Sequence, residues 1–384
     1  MEAGKRKAEK RLALLRSVKR VVIKIGSGVL SSSGRDGISE ATVSRLVNDI
    51  CDLEKDGRYE VVVVTSGAVM SGSKYLGLKP LHLSIPMKQA AAAVGQVKLM
   101  NLYERHFSKR GKKVAQILIT HDDIESRRRY LNARNTITTL LELGIMPVIN
   151  ENDSAAVHEI KFGDNDQLAA MVTTLAEADL FLMLSDVEGL YDSDPTDNTD
   201  AKLIDEVRVI DESITRIAGE SVSAVGVGGM KAKVMAARIA VSSGVPAWII
   251  GGKDAGSISD ALRKGKGGTF FHPTTAKLKQ RKHWIAHILK PKGKIVVDSG
   301  AKNALVKRGK SLLPSGILET GGRFESGDAV SLTDEKKKEF ARGLVNYHAM
   351  ELKKIKGRKT SEIESILGYK SFDEVIHRND LVIL

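Results

Sequence analysis

The sequence predicts an α/β protein in which a mostly parallel, open sheet is sandwiched by helices and a small second domain follows. Three observations lead to this class. Short runs rich in Val and Ile recur through residues 1–270, stretches of helical period separate them, and a strongly basic segment then marks a change in composition. A chain of 384 residues is also about two to three times the usual domain size. We therefore expect two domains, or one large domain with an appendage.

The apolar runs of the first part are expected to be buried parallel strands. They are VVIKIG at 21–26, VVVVTSG at 61–67, VAQILIT at 114–120, IMPVIN at 145–150, LFLMLSD at 180–186 and VPAWII at 245–250. The intervening helices are expected to begin at Ser39, Pro86 and Asp164 and to end at Gly57, Gly111, Gly144 and Gly244. Ligands of such sheets bind outside the carboxyl ends of the strands, so the candidate site is sought there.

The overall composition excludes several classes of protein. It is ordinary for a globular chain, with 42% apolar and 28% charged residues, and the 4% of aromatic residues argues against a carbohydrate-binding surface. No apolar run approaches the ~18 residues of a membrane span, and charges occupy the start of the chain instead of an apolar signal core. We expect a cytoplasmic protein that does not contact membranes.

The single cysteine, Cys51, cannot form an internal disulfide. It falls in the predicted amphipathic helix at 39–55, which favours a buried packing role over a nucleophile. This use of cysteine indicates a reducing compartment.

The formal charge of +13 is concentrated in two segments. Residues 1–20 hold eight basic against two acidic side chains, and residues 277–310 hold eleven basic side chains against Asp298 alone. We place the domain limits accordingly. The predicted parts are a basic extension at 1–20, a first domain at 21–275, a basic linker at 276–291 and a second domain at 292–384. The second basic segment is either a nucleic-acid contact or a solvated face, and we favour the latter.

The run IKIGSGV after the first strand predicts a phosphate site. It puts Lys24 within the strand and Gly26, Ser27 and Gly28 directly after it, where bare backbone amides can approach a phosphate. A lysine facing inward from a buried strand needs a counter-charge. The alternative is that Lys24 extends to solvent from a strand at the sheet edge.

Polar residues also follow the second and fourth strands. Ser66 and the amides around it could hold a carboxylate, although Ser-Gly after a strand is also ordinary turn chemistry. The fourth strand leads into the polar cluster 150–153, which contains Asp153, and residues 164–167 follow. Asp164 and Gln167 have capping-box spacing, which gives one carboxylate a structural explanation. Asp153, Asn165 and Asp166 have no such explanation.

Two further segments extend the predicted anion site. Ser185 and Asp186 end the fifth strand, and the glycine-rich segment 226–229 leads into a helix with Lys231 and Lys233 in its first turns. Lysines at a helix N-terminus oppose the macrodipole unless an anion binds there, and phosphate is the anion we expect.

The absence of several motifs narrows the chemistry. The chain has no GxxxxGK[ST] sequence, no HRD or DFG kinase motif, no GxGxxG after the first strand, no GxSxG and no paired histidine spacing typical of metal ligands. The remaining set of lysines, glycine amides, hydroxyls and a few carboxylates suits phosphoryl transfer between two anionic molecules.

Taken together, the strings VVIKIGSGVL, VVVVTSGAV, YLNARNT, PVINENDS, EIKFGDNDQLAA, LSDVEGLY and GVGGMKAK resemble the amino acid kinase family. Within it they resemble the members that phosphorylate the side-chain carboxylate of L-glutamate in proline biosynthesis. INEND followed by GDND is the most discriminating pair, since sibling kinases for aspartate, acetylglutamate or uridylate share the fold but not the pair. From about Lys292 the chain resembles a PUA domain, a small β-barrel module that binds RNA in other proteins.

The resemblance implies an amino acid kinase fold and roles for the residues that match its motifs. Lys24 and Lys233 would contact the transferring phosphoryl group, and Asp166 would hold their ammonium groups. Glutamate would be bound by Ser66, Asp153 and Asn165, and ATP by Lys24, Gly26, Ser185, Asp186, Val227, Gly228, Gly229, Met230, Lys231, Ala232 and Lys233. Mg²⁺ would be bound mainly by the nucleotide phosphates. Val227 stands where relatives usually have Thr, which removes a hydroxyl contact to phosphate and affects the expected nucleotide affinity.

The resemblance also implies partners: feedback inhibition by proline, glutamyl phosphate reductase as a neighbour in the pathway, and a homo-oligomer that is a dimer or tetramer. Two alternatives stay open. One is a kinase of the same fold acting on another small acid, and the other is an RNA-binding protein that acts through the PUA-like domain. Glutamate phosphorylation is favoured over RNA binding because the lysine, glycine and carboxylate set is intact.

Overall fold

The computed structural model describes residues 11–31, 37–78, 83–155, 165–220, 229–254, 256–273, 285 and 289–384. The chain divides into two compact units, Met1–Lys277 and Leu278–Leu384. Each unit has a cluster of buried apolar side chains of its own. A separate core is the property that defines a domain.

Eight strands of the described residues form the sheet of the first unit. They are β1 (Arg20–Ile25), β2 (Glu60–Thr65), β3 (Val114–Ile119), β4 (Met146–Glu151), β5 (Leu180–Ser185), β6 (Glu206–Val207), β7 (Ala247–Gly251) and β8 (Thr269–Phe271). Their order across the sheet is β3-β4-β2-β1-β5-β7-β8-β6. The first six in this order are mutually parallel, whereas β8 runs antiparallel to β7. The carboxyl ends of those six strands therefore meet at one edge of the sheet.

The strands expected from the apolar runs are all present, with bounds within two residues of those expected. Their predicted burial is wrong for one of them. Only Ile119 is fully buried in Val114–Ile119, because β3 lies at the edge of the sheet and is covered on fewer sides.

Helices cover both faces of this sheet. They are α1 (Ser27–Leu30), α2 (Glu40–Glu54), α3 (Ala68–Tyr75), α4 (Ile85–Ser108), α5 (His121–Glu125), α6 (Arg127–Glu142), α7 (Asn165–Leu175), α8 (Glu212–Glu220), α9 (Met230–Ser242) and α10 (Ser257–Lys264). On one face, Val21 and Ile23 of β1 share a core with α2, α4 and α10. Successive side chains of a strand point to opposite faces, so Lys24 belongs to the other face, where α7 contacts β1.

The predicted helix boundaries follow local chemistry. The Ser39 hydroxyl caps α2 by accepting a hydrogen bond from the Thr42 amide at 3.2 Å. Pro86 occupies the first turn of α4, and Asp164 lies outside the described residues. The four glycines predicted as helix stops follow α2, α4, α6 and α9, and each has a φ between 63° and 80°. Cys51 is a buried free thiol in α2, as expected.

The N-terminal segment packs on the first unit from residue 11 onward, and residues 1–10 lie outside the described residues. Arg11 is only 2% exposed. Its guanidinium lies 5.0 Å from the Trp248 ring centroid and 2.8 Å from an Asp205 carboxylate oxygen. Leu15 and Val18 join the apolar core. Arg11 therefore ties the segment to the part of the sheet around β7.

The second unit contains a five-stranded sheet with the order β10-β9-β11-β12-β13. Its strands are β9 (Gly293–Val297), β10 (Ile317–Gly322), β11 (Ala329–Thr333), β12 (Glu339–Leu344) and β13 (Leu381–Ile383), and its helices are α11 (Ser299–Arg308), α12 (Ala349–Ile355) and α13 (Ile363–Leu367). Neighbouring strands are antiparallel except for β9 and β11. Phe324, Phe340 and Tyr347 contribute to its core.

This architecture confirms the predicted fold class, a helix-covered parallel sheet followed by a small separate β domain. Within the part of the chain that the structure describes, no helix combines the length and apolar character needed to cross a bilayer.

Candidate active site

Lys24 lies in the middle of the sheet, which excludes the edge-strand alternative. Strand β1 is flanked by β2 and β5, and Lys24 stands opposite Val64 on one side and Met183 on the other. The residue is 5% exposed. Its ammonium group forms an ion pair with Oδ1 of Asp166. The counter-charge that a buried lysine requires is thus supplied by the first turn of α7.

The same carboxylate also faces a second buried lysine. The Lys233 ammonium lies 3.8 Å from Oδ2 of Asp166, and the Lys233 side chain is 9% exposed. Asp166 is fully buried. Two cations on one anion leave the cluster with an excess positive charge, and such an excess is costly in a poorly solvated place unless an anion binds there.

The pKa of Lys233 reports this environment. Burial lowers the pKa of the Lys233 ammonium most, and the nearby charge of Lys24 lowers it further. The carboxylates of Asp166 and Asp186 raise it. The net shift is downward. An anion placed between the two lysines would therefore stabilise the charged form of Lys233.

The turn after β1 and the end of β5 meet at this cluster. A Cβ at Gly28 would lie 3.0 Å from the Asp186 carboxylate, so glycine leaves the space that this carboxylate fills. The buried Ser185 hydroxyl donates to Asp186 Oδ1 at 3.3 Å. Gly26 follows β1 directly and precedes α1. These groups come from neighbouring strand ends, where the parallel sheet brings them together.

Helix α9 begins where the glycine-rich segment predicted it. Gly229 is its N-cap and Met230 its first residue, with Lys231 exposed and Lys233 buried in the following turn. Val227 and Gly228 lie outside the described residues. Backbone N–H groups of a first helical turn are free to bind an anion, and lysines nearby add positive charge.

A second cluster next to Asp166 consists of uncharged side chains. The Asn165 amide nitrogen lies 2.9 Å from the Ser66 hydroxyl oxygen and 3.2 Å from the Thr65 carbonyl oxygen. Gly67 has a φ of 104°, a left-handed conformation that glycine adopts without strain, and it turns the chain from β2 into α3. Ser66 is thereby held at the sheet edge beside Asn165.

Two members of this cluster were not assigned from the sequence. Asn150, at the end of β4, accepts from Asn165 Nδ2 at 3.0 Å and donates to Gln96 Oε1 at 2.8 Å. Both Asn150 and Gln96 are buried. The sequence pattern that could have indicated Gln96 is its place on the apolar side of α4, one turn from Ala92 and Leu99, which are both buried.

Asp153 follows β4 and is partly buried. Burial raises the pKa of Asp153 to about 7, and the neighbouring Glu151 carboxylate adds to the rise. Among the described residues it forms no hydrogen bond or ion pair with another predicted site residue. An ammonium group of a ligand would supply the missing counter-charge.

The described residues contain no group of three His, Cys, Asp or Glu side chains that could hold a metal ion. The two buried lysines share the carboxylate of Asp166, and the neighbouring hydroxyls and amides are neutral, an arrangement that suits phosphate and carboxylate groups. A divalent cation would fit here only as a companion of bound phosphates.

The sheet topology, the central buried lysine and the glycine and hydroxyl groups at the strand ends are typical of an α/β enzyme that transfers phosphoryl groups. The profile of the amino acid kinase family matches residues 19–251, and that of the PUA domain matches residues 293–367. The chain belongs to the amino acid kinase family, in the branch formed by the glutamate 5-kinases, because relatives bearing that name align over nearly all of it.

Two of these relatives illustrate the match. The glutamate 5-kinase of Pelobacter propionicus is 48% identical over 374 residues, which cover 97% of this chain and 100% of the relative. That of Syntrophotalea carbinolica is 50% identical over 370 residues, covering 96% and 98% of the two chains. A solved UMP kinase from Bacillus anthracis aligns with 68% of this chain and 98% of its own at 16% identity, with a TM-score of 0.48, too low to compare the two sites.

Proposed function

We propose that this chain transfers the γ-phosphoryl group of ATP to the side-chain carboxylate of L-glutamate and so forms L-glutamyl 5-phosphate. The observation that carries the proposal is the pair of buried lysines, Lys24 and Lys233, on the single buried carboxylate of Asp166, beside a cluster of neutral amides. The choice of glutamate and ATP is supported by the relatives named glutamate 5-kinase.

The nucleophile of this reaction needs no general base. A glutamate side chain has a reference pKa near ~4.3, so it is already ionised at neutral pH. The barrier comes from repulsion between the attacking carboxylate and the anionic phosphates. A site rich in cations is therefore suited to the reaction, and it needs no histidine base.

Lys24 and Lys233 are proposed to neutralise charge on the transferring phosphoryl group. Their positions on β1 and α9 bring two ammonium groups to one carboxylate from different elements. Asp166 lowers the repulsion between them, so that both can stay close before the nucleotide binds. Because charge moves from the nucleophile toward the leaving group, these contacts strengthen in the transition state.

Glutamate is proposed to lie against Ser66, Asp153 and Asn165. The Asn165 Oδ1 atom is buried and has no hydrogen-bond partner among the described residues, so it can accept from the substrate ammonium. Asp153 offers a carboxylate to the same group, and the Ser66 hydroxyl can donate to the substrate carboxylate.

The nucleotide is proposed to contact Gly26, Ser185, Asp186 and the segment 227–233. In this segment Val227 and Gly228 lie outside the described residues. The start of α9 is formed by Gly229, Met230, Lys231, Ala232 and Lys233. Mg²⁺, when bound with the nucleotide, would supply further neutralisation of phosphate charge. The chain's own contribution is the amides and lysines that hold the phosphates in line with the acceptor.

The direct test is glutamate-dependent release of ADP, with hydroxylamine added to trap the acyl phosphate as a hydroxamate. Aspartate, acetylglutamate and UMP serve as competing acceptors for the sibling activities. We expect turnover with L-glutamate alone. Preferred turnover of another acceptor would replace the substrate in this proposal, and absence of turnover with any would reject it.

The remaining parts of the proposal concern assembly and regulation. They are a homo-oligomer that is a dimer or tetramer, inhibition by proline, supply of the product to a glutamyl phosphate reductase, and a domain division with a basic linker at 276–291. RNA binding by the second unit is less favoured, because Phe324, Phe340 and Tyr347 are core residues and are not free to stack on bases.

A further inference from the structure

We infer that Gln96, on helix α4, is a positioning residue for the substrate amides: it holds Asn150 in the orientation that in turn orients Asn165. Gln96 Oε1 accepts from Asn150 Nδ2 at 2.8 Å, and Asn150 Oδ1 accepts from Asn165 Nδ2 at 3.0 Å. The inference rests on the proposed function, since it concerns how the glutamate pocket is kept in shape.

The orientation of Asn150 is determined by a backbone group. The amide N–H of Glu151 donates to Asn150 Oδ1 at 2.9 Å, and a backbone N–H can only donate. If the Asn150 side chain were flipped, its NH₂ group would face this N–H and the NH₂ group of Asn165. Asn150 Nδ2 therefore points away from both, and it needs an acceptor on that side. Gln96 Oε1 is that acceptor.

The orientation of Asn165 follows by the same reasoning. Its Nδ2 lies within 3.2 Å of three oxygens, those of the Thr65 carbonyl, the Ser66 hydroxyl and the Asn150 amide. A flipped amide would place Oδ1 against a carbonyl oxygen and an amide oxygen, with no hydrogen between them. Asn165 Oδ1 is thus directed away from these groups, and it is buried without a partner among the described residues. It is available to a donor on the substrate.

The position of Gln96 is set by a close crossing of two helices. A Cβ at Gly95 would overlap the Ala68 carbonyl, and one at Gly72 would overlap the Ala91 carbonyl, so only glycine allows α3 and α4 to approach this closely. Gln96 follows directly after Gly95 and is 8% exposed. Its Nε2 atom has no hydrogen-bond partner among the described residues. The fold therefore uses the oxygen of this amide and not its nitrogen.

An acceptor atom at position 96 is therefore required, and not merely a side chain of the right volume. Gln96→Met keeps the length of the side chain and removes the acceptor. Gln96→Leu also removes the acceptor, with a shorter side chain. Gln96→Glu keeps an oxygen for Asn150. Leu99→Val is the matched control, because Leu99 lies one turn further along the buried side of α4, in the apolar core.

The experiment measures kcat, the KM for glutamate and the KM for ATP in the full chain with each substitution, with thermal unfolding to verify the fold. We expect Gln96→Met and Gln96→Leu to raise the KM for glutamate about tenfold, the effect of one lost buried hydrogen bond, and to leave the KM for ATP nearly unchanged. Gln96→Glu should restore a KM for glutamate near the parent value, and Leu99→Val should not change it.

Three results would overturn the inference alone: an unchanged KM for glutamate in both acceptor-deleting variants, an equal rise in Gln96→Glu, or an equal rise in Leu99→Val. Should Gln96→Met and Gln96→Leu fail to fold, a raised KM for glutamate in folded Gln96→Glu overturns it, and a parent-like value supports it. If the unmodified chain shows no glutamate-dependent ADP release, the proposed function itself fails and takes this inference with it.

Discussion

Asn165 and Asp166 are neighbours in the first turn of α7, yet they contribute to two parts of the site that are built in different ways. Asp166 joins Lys24 and Lys233, and we refer to these three residues as the cationic half. Asn165 joins Ser66 and Asn150, which form the amide half. One half consists of buried charges and the other of neutral hydrogen-bonding groups, although both lie at the same edge of the sheet.

The difference indicates a division of labour. Charges that face a migrating phosphoryl group interact more strongly as the transition state forms, so their loss should appear in kcat. Neutral groups that orient an amino acid act on its ground state and transition state alike, so their loss should appear in the KM for glutamate. Variants of the two halves test this assignment.

Asp166→Asn should have the largest effect, because it keeps the shape of the side chain and removes the buried counter-charge of two lysines. We expect the free energy of unfolding to fall by about 3–5 kcal/mol, as when one partner of a buried ion pair is removed. We also expect kcat to fall by about 10² or more. Urea unfolding and steady-state kinetics measure the two effects. A folded variant with parent-like kcat and stability would contradict the role of Asp166.

Lys233→Ala and Lys24→Ala should each lower kcat by about 10² or more, with a much smaller change in the KM for glutamate. The physical reason is the loss of a cation from the transferring phosphoryl group. Lys264→Ala provides a control, since Lys264 is an exposed lysine paired with Asp260 on α10. Turnover near the parent rate in either folded site variant would remove that lysine from the cationic half.

The placement of much of the candidate site could be predicted from the sequence, because parallel strands bring residues to a common edge. Ser66, Ser185 and Asp186 each end or follow a strand that the apolar runs identified, and Lys24 lies one residue before the end of another, so the topology places them near one edge. Asp166 was already a candidate site residue from the sequence. The capping-box spacing of Asp164 and Gln167 gives Asp164 a structural role, and it gives Asp166 none.

The sequence predicted only part of the amide half, and it did not indicate Gln96, which contacts that half. Gln96 lies in a run of small residues on a helix, and its function depends on a contact with Asn150, which is 54 residues away in the chain. Periodicity shows which side of a helix is buried but not which polar group of another element it meets. The burial of Val114–Ile119 was overestimated for a related reason, since a strand's place in the sheet order is a tertiary property.

Asn165→Ala should weaken glutamate binding by roughly 1.5 to 3 kcal/mol, which is the usual cost of a lost hydrogen bond to a charged group. The loss should appear as a higher KM for glutamate. Asp153→Ala should act in the same direction. The KM for ATP is the internal control in both variants. A selective rise in the KM for ATP would reverse the assignment of the two halves.

The pH dependence of the KM for glutamate tests Asp153. Its pKa is raised to about 7 by burial and by Glu151, so the ligand-free carboxyl holds a proton below that pH. The substrate ammonium favours the ionised form, so the KM for glutamate should rise as the pH falls from 8 to 6, by up to about tenfold per unit below the pKa. In the absence of glutamate, the free energy of unfolding should fall as the pH rises from near the ordinary pKa of 3.8 to about 7, because Asp153 releases its proton in the unfolded chain and keeps it in the folded one.

Asp153→Asn separates this effect from other titrations. The variant carries no charge at position 153, so its KM for glutamate should be higher at pH 8 and nearly independent of pH between 6 and 8. An unchanged pH profile in this variant would show that another group controls glutamate binding.

Removal of the second unit should have the smallest effect on chemistry. Every residue of the two halves lies before position 234, and Leu278–Leu384 forms a compact unit with its own core. A chain that ends near His287 is expected to fold and to phosphorylate glutamate at a rate near that of the full chain, while its regulation or assembly changes. Loss of activity in a folded, soluble truncated chain would contradict the proposed domain division.

The most direct test of the division of labour is a double-mutant cycle on Lys233→Ala and Asn165→Ala, measured as kcat/KM for glutamate at saturating ATP. If the cationic and amide halves act independently, the two losses of transition-state free energy should add in the double variant to within about 0.5 kcal/mol. Lys233→Ala should account for the fall in kcat, and Asn165→Ala for the rise in KM. A double variant no worse than Lys233→Ala alone would show that the two halves work as one unit, and would contradict the account.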